Sequence, residues 1–318
     1  MEQQRESNKE IYIQSLSQYI DELKTKIQKL RNGNSIWFRG LSSDEFKLIP
    51  NLYREAVFTD TEHRPDLDTF KTIYRIEQNI DANFSQKSSI FFASKKIQNT
   101  PWNRYFLKQH YGIKTRLLDW TENALTALFF ALSDSNEKTK DKHARIWLLS
   151  PHKLNHYTVN KLLPEEKKFH FYKILPCGKL SKKKELFNRK DEFRYTEVLR
   201  KYYRIDCTDM KEMYPLAIYP EHLDERMSAQ QACFTIFGNE VNGLNNNDSK
   251  ERFLDYIYID ANKKLDILQE LNRIGISYYS VFPDLEGLGK TINHLHNSEF
   301  DNTKMWDTLY HHADNYKP

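Results

Sequence analysis

Cysteine is scarce in this chain of 318 residues, and the three present, Cys177, Cys207 and Cys233, are an odd number with no CxxC pair. That pattern excludes a disulfide framework for a chain of this size and fits a reducing compartment. Long apolar runs are missing too: none approaches the roughly 20 residues of a membrane span, and Met1 to Glu10 is polar, without the apolar segment of a secretion signal. The expectation is a cytoplasmic protein with no membrane partner. Neither charge sign is in large excess, because 48 basic and 44 acidic residues leave a net +4. Such a balance demands no polyanionic partner, although it permits local basic patches. No internal repeat or low-complexity block divides the chain.

Two site patterns also fail when their spacing is checked. Gly287-Leu288-Gly289-Lys290-Thr291 ends like a phosphate-binding loop, but the glycine required five positions before Gly289 is replaced by Asp284, so the backbone cradle is incomplete. His294, His296 and the pair His311-His312 have no accompanying cysteine or HExxH spacing, so surface histidines are expected and no metal. The run Lys182-Lys183-Lys184 reads as a solvated face.

What the chain does have is aromatic apolar surface: 39% of residues are hydrophobic and 14% aromatic, enough for a core built largely from Phe and Tyr. The organisation expected is a single large mixed α/β domain of the α+β class over 33–295. It has a central sheet of short strands flanked by helices, an N-terminal helix within 1–32 packing on it, and a tail over 296–318. Ile13, Leu16, Ile20, Leu23, Ile27 and Leu30 share one face of a helix spanning Ile11 to Leu30, which Gly33 would cap. Helices are also expected from Asp66 to Phe84, around Trp102–His110, over Ala124–Leu132 with Thr121 or Asn123 as cap, and from Asn262 to a stop at Gly275. Strands are expected at Ser35–Arg39, Lys114–Asp119, Ala144–Ser150, Pro215–Tyr219, Ala232–Phe237 and Phe253–Ile259, with loops and helices over Lys161–Lys201.

Two segments concentrate chemistry. Arg39 ends an aromatic strand just before Gly40, a residue that lets backbone or ligand approach closely. By residue type alone Arg39 is equally a ligand clamp or a core-edge cation paired with a buried carboxylate. From His110 to Thr121 an imidazole, a guanidinium, a carboxylate, hydroxyls and an indole crowd one strand. Alternation sends Arg116, Leu118 and Trp120 to one side and Leu117, Asp119 and Thr121 to the other. Asp119 is open to three roles: pairing with Arg39 or Arg116, orienting a substrate hydroxyl, or capping the next helix.

Phe38-Arg39-Gly40, Leu48-Ile49-Pro50-Asn51-Leu52-Tyr53-Arg54, Gln109-His110-Tyr111-Gly112 with Thr115–Thr121, Arg226–Thr235 and Phe282–Leu288 together resemble, in order, the blocks of the FRG-domain family. The resemblance spans about residues 30–295, with Ala232 standing where a glycine is more usual. It further implies likeness to ADP-ribosyltransferases, with NAD as substrate. Such enzymes place an Arg or His, then a Ser, Thr or Tyr, then a Glu or Gln along the chain. Arg39, Asp119, Thr121 and Gln230 are then the catalytic candidates. Arg39, Gly40, His110, Tyr111, Arg116, Trp120 and Gln231 are the candidates for holding NAD. Gln230 takes the place of a frequent glutamate, and Glu240 is the carboxylate that would stand in as base. The implied setting is a toxin or phage-defence effector, with protein, nucleic acid or water as acceptor and an antitoxin as partner. The competing reading is a non-enzymatic module in which Arg39, Arg116 and His110 recognise nucleic acid or another phosphate-bearing ligand.

Overall fold

The computed structural model describes residues 10–30, 35–54, 67–134, 137–162, 176–177, 198–199, 201–203, 213–245, 249 and 252–300. Gly33, the run 182–184, Cys207, His311 and His312 lie outside them, as does most of 163–201. The strands are β1 (Tyr12–Ile13), β2 (Trp37–Leu41), β3 (Leu117–Thr121), β4 (Ala144–Leu149), β5 (Pro176–Cys177), β6 (Leu216–Pro220), β7 (Ala232–Ile236) and β8 (Leu254–Ile259). They form a mixed sheet in the order β1-β8-β4-β2-β3-β7-β6-β5. The helices are α1 (Leu16–Leu30), α2 (Asn51–Arg54), α3 (Leu67–Ser94), α4 (Pro101–His110), α5 (Ala124–Ser133), α6 (Pro151–Leu162), α7 (Glu225–Ala229), α8 (Lys264–Arg273), α9 (Tyr278–Val281) and α10 (Leu285–Phe300).

Alternation along β2 explains the layers. Trp37 and Leu41 point into a cluster with Trp120, Trp147, Tyr53, Phe70 and Leu154, beneath α2, α3 and α6. Phe38 points the other way, toward α1, α5 and α8, where Leu23, Leu128, Ile146, Ile257 and Ile267 pack together. A third cluster joins Phe106 of α4 to Leu117, Phe234 and Ile236. The sheet is sharply curled. The rings of Trp37 on β2 and Tyr219 on β6 lie 5.2 Å apart, although two strands separate them in the sheet order and a flat sheet would hold them about 14 Å apart.

Several expectations are corrected. The N-terminal segment is not helical from Ile11, because Tyr12 and Ile13 pair in parallel with Tyr258 and Ile259 and the Ser15 hydroxyl accepts Gln18 N–H at the start of α1. Helix α3 runs ten residues past Phe84, since no glycine or proline interrupts it. Asn123, not Thr121, caps α5, its side chain accepting from Leu125 N–H and Thr126 N–H. Strand β7 begins at Ala232 as expected, after Gln230 caps the C-terminus of α7 and Gln231 turns the chain at φ 47°. The segment Gly287–Thr291 lies within α10, in keeping with the rejected phosphate-loop spacing.

Candidate functional site

The site exists because β2 and β3 barely touch. Strand β2 holds register with β4 from Trp37↔Leu149 to Leu41↔Arg145, and β3 holds register with β7 over its full length. Between β2 and β3 the register has the single pair Phe38↔Thr121. Beyond it the two strands part, and a cleft of about 1060 Å³ opens along Arg39 and Asp119. Helix α5 forms its back. Gly40 has no room for a side chain there, because a Cβ would stand 1.9 Å from the Ala127 carbonyl oxygen and 2.8 Å from Ala131 N. Gly40 lines the cleft, but what requires glycine is the close seat of α5 on β2.

Arg39 bridges the parting. Its Nη1 donates to the Asp119 main-chain oxygen at 2.6 Å and lies 3.6 Å from the Asp119 carboxylate. Its Nε is buried and makes no hydrogen bond to a described residue. Burial lowers the Arg39 pKa; Asp119 opposes that shift, while the cation of Arg54 on α2 adds to it. The pKa of Arg54, whose Nε donates to the Ile49 carbonyl at 2.7 Å, is itself lowered by burial against the opposing pull of Asp119. The Asp119 side chain is 54% exposed against 16% for Arg39, so theirs is not the buried pair that residue type alone allowed. Gln109 steadies Asp119, its amide donating to both carboxylate oxygens at 3.0 and 2.9 Å while its own oxygen accepts from the Thr115 hydroxyl at 2.5 Å.

The buried structural cation is Arg116. It is 1% exposed and does not line the cleft. Its Nε lies 3.0 and 2.9 Å from the two carboxylate oxygens of Glu77 on α3, and its terminal nitrogens donate to the carbonyls of Phe237 and Tyr202 at 2.7 Å. The Tyr105 hydroxyl also donates to Glu77. Burial works against the Arg116 cation, yet Glu77 holds its pKa above the ordinary value. With every donor group occupied inside the protein, Arg116 is removed from the ligand-holding set.

The remaining candidates divide. His110, Trp120, Thr121 and Gln230 line the cleft with Arg39, Gly40 and Asp119; Tyr111, Gln231 and Glu240 do not. Tyr111 is 56% exposed, set edge-on to Phe91. Trp120 is buried and donates from its indole to the Thr235 hydroxyl at 3.0 Å. The Thr121 hydroxyl donates to the Gln230 carbonyl at 2.6 Å and accepts from Asn123 N–H at 3.0 Å, so it ties β3 to the end of α7. The Gln230 amide donates to the Val281 carbonyl at 3.2 Å. His110 ends α4, and its Nε2 sits 2.9 Å from the Asp224 carboxylate. Burial pushes that carboxyl up, but the His110 and Met227 N–H hydrogen bonds and the nearby Arg226 hold it below its ordinary value.

Sequence reasoning missed Gln109, Arg54, Asp224, Arg226, Tyr278 and Phe282 as cleft residues or their supports. Arg226 stacks on the Phe282 ring at 4.5 Å, and both, with Tyr278, form the wall opposite β2. Gln109, Arg54, Arg226 and Phe282 sit inside the blocks that carry the family resemblance, which was the available signal. Glu77 lies on one face of a long amphipathic helix and nothing local distinguishes it. Among the described residues no group of three or more His, Cys, Asp or Glu side chains is placed to hold a metal ion, and no helix is long and apolar enough to cross a membrane.

Residues 34–140 match the family model of the FRG domain. That stretch holds the Phe38-Arg39-Gly40, Leu48–Arg54 and Gln109–Thr121 blocks and stops before the two later ones. No curated protein and no solved structure matches the chain.

Proposed function

Because residues 34–140 carry an FRG domain, we propose that the cleft at the parting of β2 and β3 binds NAD and that the chain breaks its nicotinamide–ribose bond, as an ADP-ribosyltransferase or NAD glycohydrolase. The observation that carries this reading is the Arg39 guanidinium: it lines the parting, its Nε has no hydrogen bond to a described residue, and Arg54 lines the same cleft. A pyrophosphate is the ligand group whose charge and acceptor oxygens suit two such cations. The walls add Phe130, Tyr278 and the Arg226–Phe282 stack, flat surfaces on which a base or a nicotinamide ring would lie.

Breaking the bond leaves cationic character on the ribose. Asp119, held in place by Gln109 and Arg39 and half exposed to the cleft, is the carboxylate positioned to stabilise that charge. Gln230 is an amide and cannot take a proton. Thr121, whose hydroxyl is consumed by Gln230 and Asn123, serves here by fixing the cleft wall. A toxin or defence effector would follow from unrestrained consumption of NAD, and slowed growth on expression that Arg39→Ala relieves is the expected sign.

Purified protein incubated with NAD should release nicotinamide, and Arg39→Ala, at an unchanged melting temperature, should lower the rate by about 10²–10³-fold, as loss of one well-placed donor does. A second reading is supported by the spent hydroxyl of Thr121 and the tethered amide of Gln230: the cleft holds a phosphate-bearing ligand without turning it over. No nicotinamide release combined with steeply salt-dependent binding of RNA or DNA would favour that module instead.

A further inference from the structure

His110 is the last residue of α4, and its side chain is 9% exposed, yet it lines the cleft. Its Nε2 is engaged by one oxygen of Asp224 at 2.9 Å, while the other oxygen of that carboxylate accepts Met227 N–H at 2.8 Å as the cap of α7. The carboxylate is thereby fixed from two sides, and it orients the ring: in neutral imidazole an Nε2 facing a carboxylate carries the proton, which leaves the lone pair on Nδ1. No described residue hydrogen-bonds to Nδ1. A histidine that lines a cleft with one nitrogen held by a carboxylate and the other without a hydrogen bond to a described residue is the arrangement of a general base.

We propose that His110, oriented by Asp224, is the base that activates the acceptor in the cleft, a hydroxyl group or water. The inference rests on the NAD reading above. In the step, the acceptor oxygen bonds to the ribose C1′ and its proton passes to His110 Nδ1. The C1′–N bond breaks with its electron pair going to the ring nitrogen, so the pyridinium leaves as neutral nicotinamide. The positive charge thus moves from NAD to the imidazolium, and the Asp224 carboxylate beside Nε2 stabilises it there. This assignment supplies the proton acceptor that Gln230 cannot be, and it leaves Asp119 to the ribose cation. Among the described residues Asp224 and the adjacent Tyr111 contact the His110 ring, and Arg226 of α7 acts on the Asp224 carboxylate.

The test is the pH profile of kcat/KM for nicotinamide release in wild type, His110→Gln and Asp224→Asn, alongside NAD binding by calorimetry. Wild type should lose activity at acid pH on a single limb. His110→Gln should bind NAD within about twofold of wild type, turn over about 10²–10⁴-fold more slowly, and lack that limb. Asp224→Asn keeps a capping side chain for α7 and should lower kcat about tenfold or more with NAD affinity within about twofold of wild type, because the ring loses the carboxylate that orients it and stabilises the imidazolium. This loss of kcat tests the assignment even if His110→Gln does not fold. His110→Gln with wild-type turnover, or Asp224→Asn with wild-type kcat, overturns the base while leaving the NAD reading intact. A wild type that neither binds NAD nor releases nicotinamide overturns both.

Discussion

Two arginines show how residue type and residue role come apart. Arg39 sits mid-strand in β2 and Arg116 immediately before β3, both among aromatics, and by residue type either would serve as clamp or as buried ion-pair partner. Which it is depends on a carboxylate far away in sequence: Glu77 claims Arg116, and Asp119 only partly satisfies Arg39. Breaking the buried pair by Glu77→Gln or Arg116→Met should cost on the order of 3–5 kcal/mol. Arg39→Gln should cost less than about 1 kcal/mol, since its partner is half exposed. Urea denaturation of the three variants checks this, and equal losses would mean that Arg39 is structural after all.

At the scale of elements, the strands and most helices were legible because they carry unbroken periodicity: Ala144–Leu149, Leu254–Ile259 and Pro101–His110 lie where alternation or 3.6-residue spacing puts them. What could not be read was whatever long-range pairing decides. Tyr12 and Ile13 are extended only because β8 offers them an edge, and Gln231 takes a left-handed turn so that Thr121 and Glu122 can bond the end of α7. The glycine of the FRG tripeptide was read as room for a ligand, and its role is the approach of α5. Gly40→Ala should therefore destabilise by on the order of 1–3 kcal/mol through overpacking against the α5 backbone. Asn123→Ala should cost about 1 kcal/mol by removing the cap. Thermal melts of both discriminate: a Gly40→Ala protein as stable as wild type would return that glycine to the ligand side.

For the whole molecule, the matched stretch 34–140 is not a separable unit. Its strands β2 and β3 find their extended partners in β4 and β7, which lie at 144–149 and 232–236. The cleft likewise takes one wall from Arg226, Tyr278 and Phe282. A fragment of residues 34–140 alone should show no cooperative melt and no dispersed NMR spectrum; a folded fragment would contradict the sheet order. This is also why the site was only half visible from sequence: the His110–Thr121 segment announces one wall, whereas the opposite wall comes from short elements more than 100 residues later. The central claim concerns what the assembled cleft holds. Calorimetric titration of NAD into wild type and Arg39→Gln tests it most directly. Loss of charge-assisted hydrogen bonds of about 1.5–3 kcal/mol predicts binding weakened by roughly 10–100-fold in the variant. Equal affinities for the two proteins, or no binding by wild type, would contradict the account.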